Sequence, residues 1–276
     1  MNSELAFLAQ TANAKDGGID LRLTFNENAY NYDKIRPNYP DGLFKAVFDY
    51  LPICNGSSLL EIGIGTGKAT LPFIKTGAKI TAVELGSSLA EYCRVKFSQE
   101  NVTVINGDFM SCNLPDNSFD LVYCATAFHW LPKTAYGKIK RILKPGGALA
   151  LFWNHPFVRR ADDKSNTAAA RVYDKYRPTE KPIAEFQPAD CEKISQELLN
   201  NGFQDIKSEL YRRTRTLSST EYISLMNTYS DHISLPCNTK SALERDMKTA
   251  LDAVGGKINI YDTVDLYLAR KKVSNC

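Results

Sequence analysis

The sequence predicts an α/β fold in which a mostly parallel sheet is covered by helices on both faces. From about residue 46 to 153, short apolar segments alternate with helix-forming segments at the spacing of βαβ units. A glycine-rich turn lies within this pattern, at 63–67, between an apolar run and a helix-forming run. Two later segments, 203–216 and 257–270, alternate polar and apolar residues as strands do. Helices are predicted over 67–76 after the turn, and over about 219–230 and 239–253 between the two later segments. Together these patterns indicate α/β topology with an added pair of strands at the end.

The composition is that of a globular enzyme with no strong charge bias. The 276 residues are 43% hydrophobic, which is ample for a core, and the formal net charge is only +3. A balance this close to neutral predicts no nucleic-acid partner. The start has no basic segment followed by a long apolar block, and no stretch reaches the ~18 apolar residues of a membrane span. We therefore expect a cytoplasmic protein that does not associate with membranes.

Cysteine and histidine usage argues against a metal or disulfide framework. The seven cysteines are odd in number and none form a C-x-x-C pair. The three histidines show no ligand spacing. We predict no metal.

The glycine-rich turn is the strongest functional signal. An apolar run ends in Glu61 and is followed by Gly63, Gly65 and Gly67 at every second position. Glycine permits the unusual backbone angles of a sharp strand-to-helix turn and lets a ligand lie against the main chain. The following helix start offers unpaired N–H groups. The turn predicts a site for a cofactor that contains a nucleoside, although a purely structural turn is the alternative.

Two common nucleotide motifs do not fit this turn. The dinucleotide fingerprint needs glycine or alanine three residues after its second glycine, where this chain has Lys68 or Thr70. The phosphate-binding P-loop needs Ser or Thr after Gly-Lys, where this chain has Ala69, and glycine where it has Ile62. With both motifs excluded, the remaining pattern is an acidic residue followed by three glycines at every second position.

Further motifs follow in order along the chain. A second strand, 79–84, ends in Glu84, about 20 residues after the turn as expected for an acid that binds ribose. A third strand, 102–105, leads into Asp108, which alternatively caps the next turn. A fourth strand, 119–126, continues into a His-Trp pair, and a helix, turn and fifth strand occupy 133–153.

This series resembles the class I S-adenosylmethionine-dependent methyltransferases over roughly residues 57–153. The resemblance implies a seven-stranded, mostly parallel, Rossmann-like sheet with an antiparallel last strand and a helical lid. A Tyr-x-x-x-Arg-Pro-x-Tyr-Pro segment before the first strand also resembles an arm that folds over the cofactor in small-molecule members. The residues implied to bind S-adenosylmethionine are Tyr32, Arg36, Glu61, Gly63, Gly65, Gly67, Glu84, Leu85, Asp108, Phe109 and Ala125.

The organisation that follows has three parts. Residues 1–45 form the arm, 46–156 and 190–276 form the core, and lid segments lie at about 157–189 and 218–255. Packing of the aromatic residues alone is the alternative role of the arm.

The resemblance predicts an enzyme of class EC 2.1.1 that transfers a methyl group to a small-molecule acceptor by in-line displacement. His129 is the candidate general base for a hydroxyl or ammonium acceptor, and a structural role beside Trp130 is the alternative. Two other functions stay open, an aminopropyltransferase on the same scaffold and a non-catalytic protein that binds S-adenosylmethionine. We expect a monomer or homodimer.

Overall fold

The computed structural model describes residues 15–16, 19–20, 33–179 and 181–272. A large sheet contains seven strands: β1 (Ser58–Ile62), β2 (Lys79–Glu84), β3 (Val102–Asn106), β4 (Phe119–Ala125), β5 (Leu143–Phe157), β6 (Phe203–Ser218) and β7 (Lys257–Lys271). The helices are α1 (Asp41–Tyr50), α2 (Thr70–Ile74), α3 (Ser87–Lys96), α4 (Ala135–Ile142), α5 (Lys164–Tyr176), α6 (Cys191–Asn200), α7 (Ser219–Met226), α8 (Ser230–Ile233) and α9 (Cys237–Asp252). Short 3₁₀ turns occur at Phe128–Trp130 and Pro188–Asp190, and Lys15–Asp16 pairs with Ile19–Asp20.

The sheet order is β3-β2-β1-β4-β5-β7-β6. Strands β1 to β5 are parallel, and β7 runs antiparallel to both of its neighbours, β5 and β6. The predicted fold class is therefore confirmed, including the antiparallel last strand. The chain order reverses between β1 and β4, and ligands of open α/β sheets bind beside the carboxyl ends of strands at such a reversal.

Alternation along the central strands gives the sheet an apolar layer on each face. Leu60 and Val122 lie in one buried cluster, whereas Leu59 and Leu121 lie in the other. Neighbouring residues of a strand point to opposite faces, so a strand buried on both sides needs apolar residues at nearly every position. This explains the continuous apolar runs and places the carboxyl ends of β1, β2 and β4 at one edge of the core.

Strands β6 and β7 are 16 and 15 residues long and carry the lid at their shared outer end. Leu217, Ile258 and Ile260 from these strands pack into a third apolar cluster with residues of α5, α7 and α9. The lid therefore has an apolar core of its own that includes the ends of two sheet strands.

Most predicted elements lie where expected, with differences that have local causes. The helix predicted from residue 67 begins instead at Thr70, because Gly67 has a φ of +79°, which a right-handed helix excludes. The helix predicted over 219–230 is divided into α7 and α8, with Tyr229 extended between them. Among the described residues, no helix combines the length and apolarity that crossing a bilayer requires.

Candidate functional site

A cleft of about 210 Å³ lies at the carboxyl ends of β1, β2 and β4. It is walled by the glycine-rich turn, by the loops after β2, β3 and β4, and by the end of the arm. Every described residue predicted to bind the cofactor lines this cleft except Gly67, and His129 lines it too. Tyr32 lies outside the described residues.

The three glycines of the turn have three different roles. All have positive φ, from +56° to +79°. A Cβ on Gly65 would meet nothing within 4 Å, so this position leaves open space beside the backbone. A Cβ on Gly63 would approach Ala127 Cβ to 2.8 Å, and one on Gly67 would lie 2.3 Å from the Phe97 ring. Gly65 provides room for a ligand, whereas Gly67 is required by packing beneath the turn.

Glu84 holds the turn in place and faces the cleft. Its two carboxylate oxygens accept hydrogen bonds from the backbone N–H groups of Gly65 and Gly86, each at 2.9 Å. The residue is 7% exposed, and burial raises the pKa of its carboxyl group despite those hydrogen bonds. The backbone N–H of Leu85 also contacts the carboxylate, and since a carboxylate offers about four lone-pair sites, Glu84 can still accept a hydroxyl group from a ligand.

Glu61 is a fully buried carboxyl group with one unpartnered oxygen. Oε2 accepts hydrogen bonds from the hydroxyls of Thr70 (2.6 Å) and Tyr123 (2.8 Å). Oε1 has no hydrogen-bond partner within the described part of the chain. Burial raises the pKa of Glu61 to about 8. A positively charged ligand group would favour the ionised carboxylate and provide the partner that Oε1 lacks.

Asp108 and Phe109 lie on the turn after β3. Asp108 Oδ1 accepts the backbone N–H of Met110 at 2.8 Å, so the residue caps the turn as well as lining the cleft. Lys138 of α4 fixes the same turn by donating to the carbonyls of Phe109, Met110 and Cys112. The capping role and a ligand-binding role are compatible, because they use different parts of the side chain.

The described end of the arm spans the cleft and reaches the lid. Arg36 donates from Nε to Thr228 Oγ1 (2.9 Å) and from Nη2 to the Thr228 carbonyl (2.7 Å). Its guanidinium also lies 4.2 Å from the centre of the Tyr229 ring. Tyr39 shares a 2.7 Å hydrogen bond with the hydroxyl of Thr126. Arg36 therefore connects the arm to the lid at the edge of the cleft.

Thr126 is a site residue that the sequence analysis missed. It directly follows Ala125 of β4 and has a φ of +54°, which is strained for a β-branched residue. The strained turn directs the chain from the end of β4 into the His-Trp segment. Its position at a strand end, next to a predicted site residue, was the available signal.

One ring nitrogen of His129 accepts a hydrogen bond from a neighbouring side chain. The indole N–H of Trp153 donates to Nδ1 at 3.1 Å, and the ring lies 4.9 Å from that of Trp130. Burial lowers the pKa of His129 to about 3. The neutral ring with an occupied Nδ1 must carry its proton on Nε2. This geometry favours His129 as a hydrogen-bond donor over a general base.

On the opposite wall, two arginines share one buried carboxylate. Asp262 accepts from Nε of Arg213 (3.1 Å), from Arg215, and from Asn154 Nδ2 (3.2 Å). Arg213 Nη2 and Asn154 Oδ1 have no partner within the described ranges, and both residues line the cleft. Nothing in the local sequence marks these residues, because the sheet edge brings them together from distant strands. They provide an unused donor and an unused acceptor for a polar ligand.

Within the part of the chain that the structure describes, no group of three or more His, Cys, Asp or Glu side chains is arranged to hold a metal ion.

Comparisons with known proteins agree with this architecture. A methyltransferase-domain family model matches residues 60–151. An uncharacterized methyltransferase-like protein of Schizosaccharomyces pombe is 30% identical over 236 residues, covering 83% of this chain and 86% of that protein. A second uncharacterized methyltransferase of the same yeast is 29% identical over 233 residues, covering 84% and 88%.

The fold also matches solved structures. The Haemonchus contortus phosphoethanolamine N-methyltransferase 2, solved with phosphomonomethylethanolamine and S-adenosylhomocysteine, superposes with a TM-score of 0.55 at 17% identity. The match covers 93% of this chain and 61% of that one. At this identity the likeness concerns the fold.

Proposed function

Since the chain belongs to the class I S-adenosylmethionine-dependent methyltransferases, we propose that it transfers the methyl group of S-adenosylmethionine to a small-molecule acceptor. The observation that carries the proposal is the cleft itself. It combines an open backbone at Gly65, a buried Glu84 fixed on the turn, and an unpartnered oxygen on Glu61.

The residues of the cleft fit the parts of this cofactor. Glu84 would accept the ribose hydroxyls, and Asp108 would accept the adenine amino group, with Leu85 and Phe109 beside the ring. The unpartnered Oε1 of Glu61 would face the positively charged methionine half, because a buried anion is stabilised by a nearby cation. Bound S-adenosylmethionine supplies an activated methyl group whose carbon–sulfur electron pair returns to sulfur as the acceptor's lone pair forms the new bond.

The chain's contribution is then alignment and a defined polar environment. His129 would donate its Nε2–H to an acceptor oxygen, and Arg213 and Asn154 would orient polar acceptor groups. Holding two reacting atoms in line at about 3–3.5 Å is worth several kcal/mol. With a carboxylate, thiolate or enolate as the nucleophile, no step in this scheme requires His129 to remove a proton.

The two alternatives receive less support from the geometry. An aminopropyltransferase would need further acids near Asp108 to hold a polyamine, and the nearest acids in the following sequence are Asp116 and Asp120. Asp116 pairs with Arg141, Asp120 binds the Ser58 N–H and Lys144, and neither lines the cleft. A non-catalytic binding protein would not need the unused polar groups of Arg213 and Asn154 on the acceptor side.

The first test combines binding and transfer. We expect S-adenosylhomocysteine to bind with micromolar affinity in calorimetry, and NAD not to bind. Protein incubated with tritium-labelled S-adenosylmethionine and a deproteinised small-molecule extract of fission yeast should transfer label to an extract component. Binding of NAD instead would contradict the cofactor assignment, and cofactor binding without any transfer would favour the non-catalytic alternative.

Substitution of His129 separates donation from proton removal. Since Nε2–H donation needs no titration, turnover of a His129→Gln variant, which retains an amide donor, should exceed that of His129→Phe. If both variants lose all turnover, the general-base hypothesis is restored. If both retain the turnover of the wild type, His129 is a packing residue.

A further inference from the structure

A second cavity, of about 410 Å³, lies within the lid. It is bordered by the end of β5, by α5 and the segment after it, and by the region from α7 to α8. Its walls are mostly apolar, and the rings and aliphatic chains that form them are Phe157, Val158, Tyr173, Tyr222, Tyr229 and Ile260. Protein cavities of about 150 Å³ with apolar walls already hold a benzene molecule, so this cavity has room for a larger ligand.

The charged groups that line the cavity all have partners of opposite charge. Arg177 lies 2.6 Å from Asp231, which also lines the cavity, and Arg159 lies 2.7 Å from Asp174, which is outside it. The hydroxyls of Tyr173 and Tyr222 also bond to each other, at 2.8 Å. A cavity with mostly apolar walls and charged groups that are already paired favours a neutral ligand, because a charged one would lose its hydration without gaining a counter-ion.

His232 lines the cavity, and one of its ring nitrogens has no partner among the described residues. His232 is 5% exposed, and its Nδ1 lies 3.0 Å from Asp231 Oδ1. Burial acts to raise the pKa of Asp231, but the hydrogen bond to His232 and the Arg177 charge outweigh it and keep the pKa below its usual range. An ionised Asp231 can only accept, so Nδ1 donates, and the imidazole tautomer that this hydrogen bond selects has its lone pair on Nε2. Nε2 is buried without a hydrogen-bond partner among the described residues.

The cavity and the cofactor cleft share a thin wall. Tyr229 lines the cavity, and the next residue, Ser230, lines the cleft. Arg36, which also lines the cleft, stacks on the Tyr229 ring from the other side. A molecule in the cavity is therefore separated from the cleft by the thickness of one or two side chains.

We propose that the lid cavity is the pocket for the body of the methyl acceptor, and that it takes a neutral aromatic or alicyclic group bearing one O–H or N–H that donates to His232 Nε2. The role as acceptor pocket rests on the proposed function, whereas the ligand chemistry rests on the cavity alone. His232 is a positioning residue in this proposal, since it contacts the acceptor away from the reacting atoms.

The probe for the test is p-cresol, with toluene as the matched compound that lacks the hydroxyl. Both are titrated by ligand-observed NMR into protein with and without saturating S-adenosylhomocysteine. We expect saturable binding, with p-cresol bound about fivefold more tightly than toluene because only its hydroxyl reaches Nε2. Long-range ¹H–¹⁵N spectra should show the His232 Nε2 resonance shifting on addition of p-cresol. The chain has only three histidines, so the signals can be assigned by substitution.

Three variants make the test specific. His232→Phe should abolish the preference for p-cresol over toluene while binding of toluene continues. Ile260→Trp should fill the cavity and weaken both probes at least tenfold. His129→Phe places the same substitution in the cofactor cleft and should leave the p-cresol preference unchanged.

The outcomes separate this proposal from the proposed function. Absence of saturable p-cresol binding, or a preference that persists in His232→Phe with no shift of the Nε2 resonance, would overturn the ligand chemistry. Bound p-cresol that leaves label transfer to the extract unaffected would overturn the acceptor role. Failure of S-adenosylhomocysteine to bind would contradict the proposed function instead, and the probe titrations without it would still decide the chemistry of the cavity.

Discussion

The cofactor cleft and the lid cavity lie on either side of Tyr229 and Ser230 but are built by different means. The cleft is made largely of backbone: a turn with three positive-φ glycines, a strained Thr126, and a carboxylate, Glu84, that binds main-chain N–H groups. The cavity is made of side chains that come from helices and strand ends far apart in the sequence. The backbone angles of a turn restrict which residue types can occupy its positions, whereas the wall of a cavity can be built from many combinations of side chains.

His129 of the cleft and His232 of the cavity differ in which ring nitrogen carries the proton. Trp153 donates to Nδ1 of His129, which leaves Nε2–H as a donor. Asp231 accepts from Nδ1 of His232, which leaves Nε2 as an acceptor. Neighbouring groups set opposite tautomers on two chemically identical rings, so the residue type alone does not define the role.

The largest effect should come from the packing beneath the turn. In Gly67→Ala, the new Cβ would overlap the buried Phe97 ring, and the alanine would have to adopt the left-handed backbone conformation that Gly67 has. We expect the free energy of unfolding to fall by about 3 kcal/mol, as measured by urea denaturation. Gly56→Ala is the matched control, since its Cβ meets nothing within 4 Å and its φ is not positive, and it should change little. Equal stability of the two variants would contradict the packing role of Gly67.

The next effect should fall on the cleft and leave the cavity unchanged. Glu84→Gln replaces one of the two acceptor oxygens by an NH₂ group, which would then face the N–H of Gly65 or Gly86. We expect the affinity for S-adenosylhomocysteine to fall about 100-fold in calorimetry, because a buried donor loses its partner and the ribose loses an acceptor. Binding of p-cresol should stay as in the wild type. An unchanged cofactor affinity would remove Glu84 from the ribose.

The smallest effect, measured over a single pH unit, is a change in the pH dependence of stability. Burial raises the pKa of Glu61 to about 8 in the folded protein, above its ordinary 4.5, so the folded state holds this proton more tightly than the unfolded state does. Its stabilising contribution is complete below about pH 4.5 and is lost as the pH rises towards 8. Compared with Glu61→Gln, the ligand-free wild type should lose up to about 1.4 kcal/mol of unfolding free energy per pH unit in this range. Parallel stability curves for the two proteins would show that Glu61 is not protonated when folded.

The contrast between a cleft built from backbone and a cavity built from side chains also explains how much of the structure the sequence predicts. The parallel sheet, its antiparallel edge and the cleft were predictable, because apolar alternation and the spacing from Gly63 to Asp108 constrain the backbone. Glu84 was assigned to the cleft for this reason, and the structure places it there. Gly67 was assigned to the cofactor although it faces Phe97, because a pattern of glycines does not show what each missing side chain makes room for.

The residues proposed to contact the methyl acceptor could not be predicted from local sequence patterns. Arg213 meets Asp262 only because β6 and β7 pair in one register, and a shift of one residue would turn Arg212 towards the cleft instead. His232 reaches its position through the break between α7 and α8, which the apolar pattern did not reveal. These contacts depend on how elements pack in three dimensions, and no local signal in the chain encodes them.

The length of β6 and β7 has a mechanical consequence. Each strand is continuous from the sheet into the apolar core of the lid, and Ile260 of β7 also lines the cavity, so that part of the cavity wall is an extension of the sheet. A substitution that disrupts the pairing of β6 with β7 should therefore disturb the sheet and the lid together.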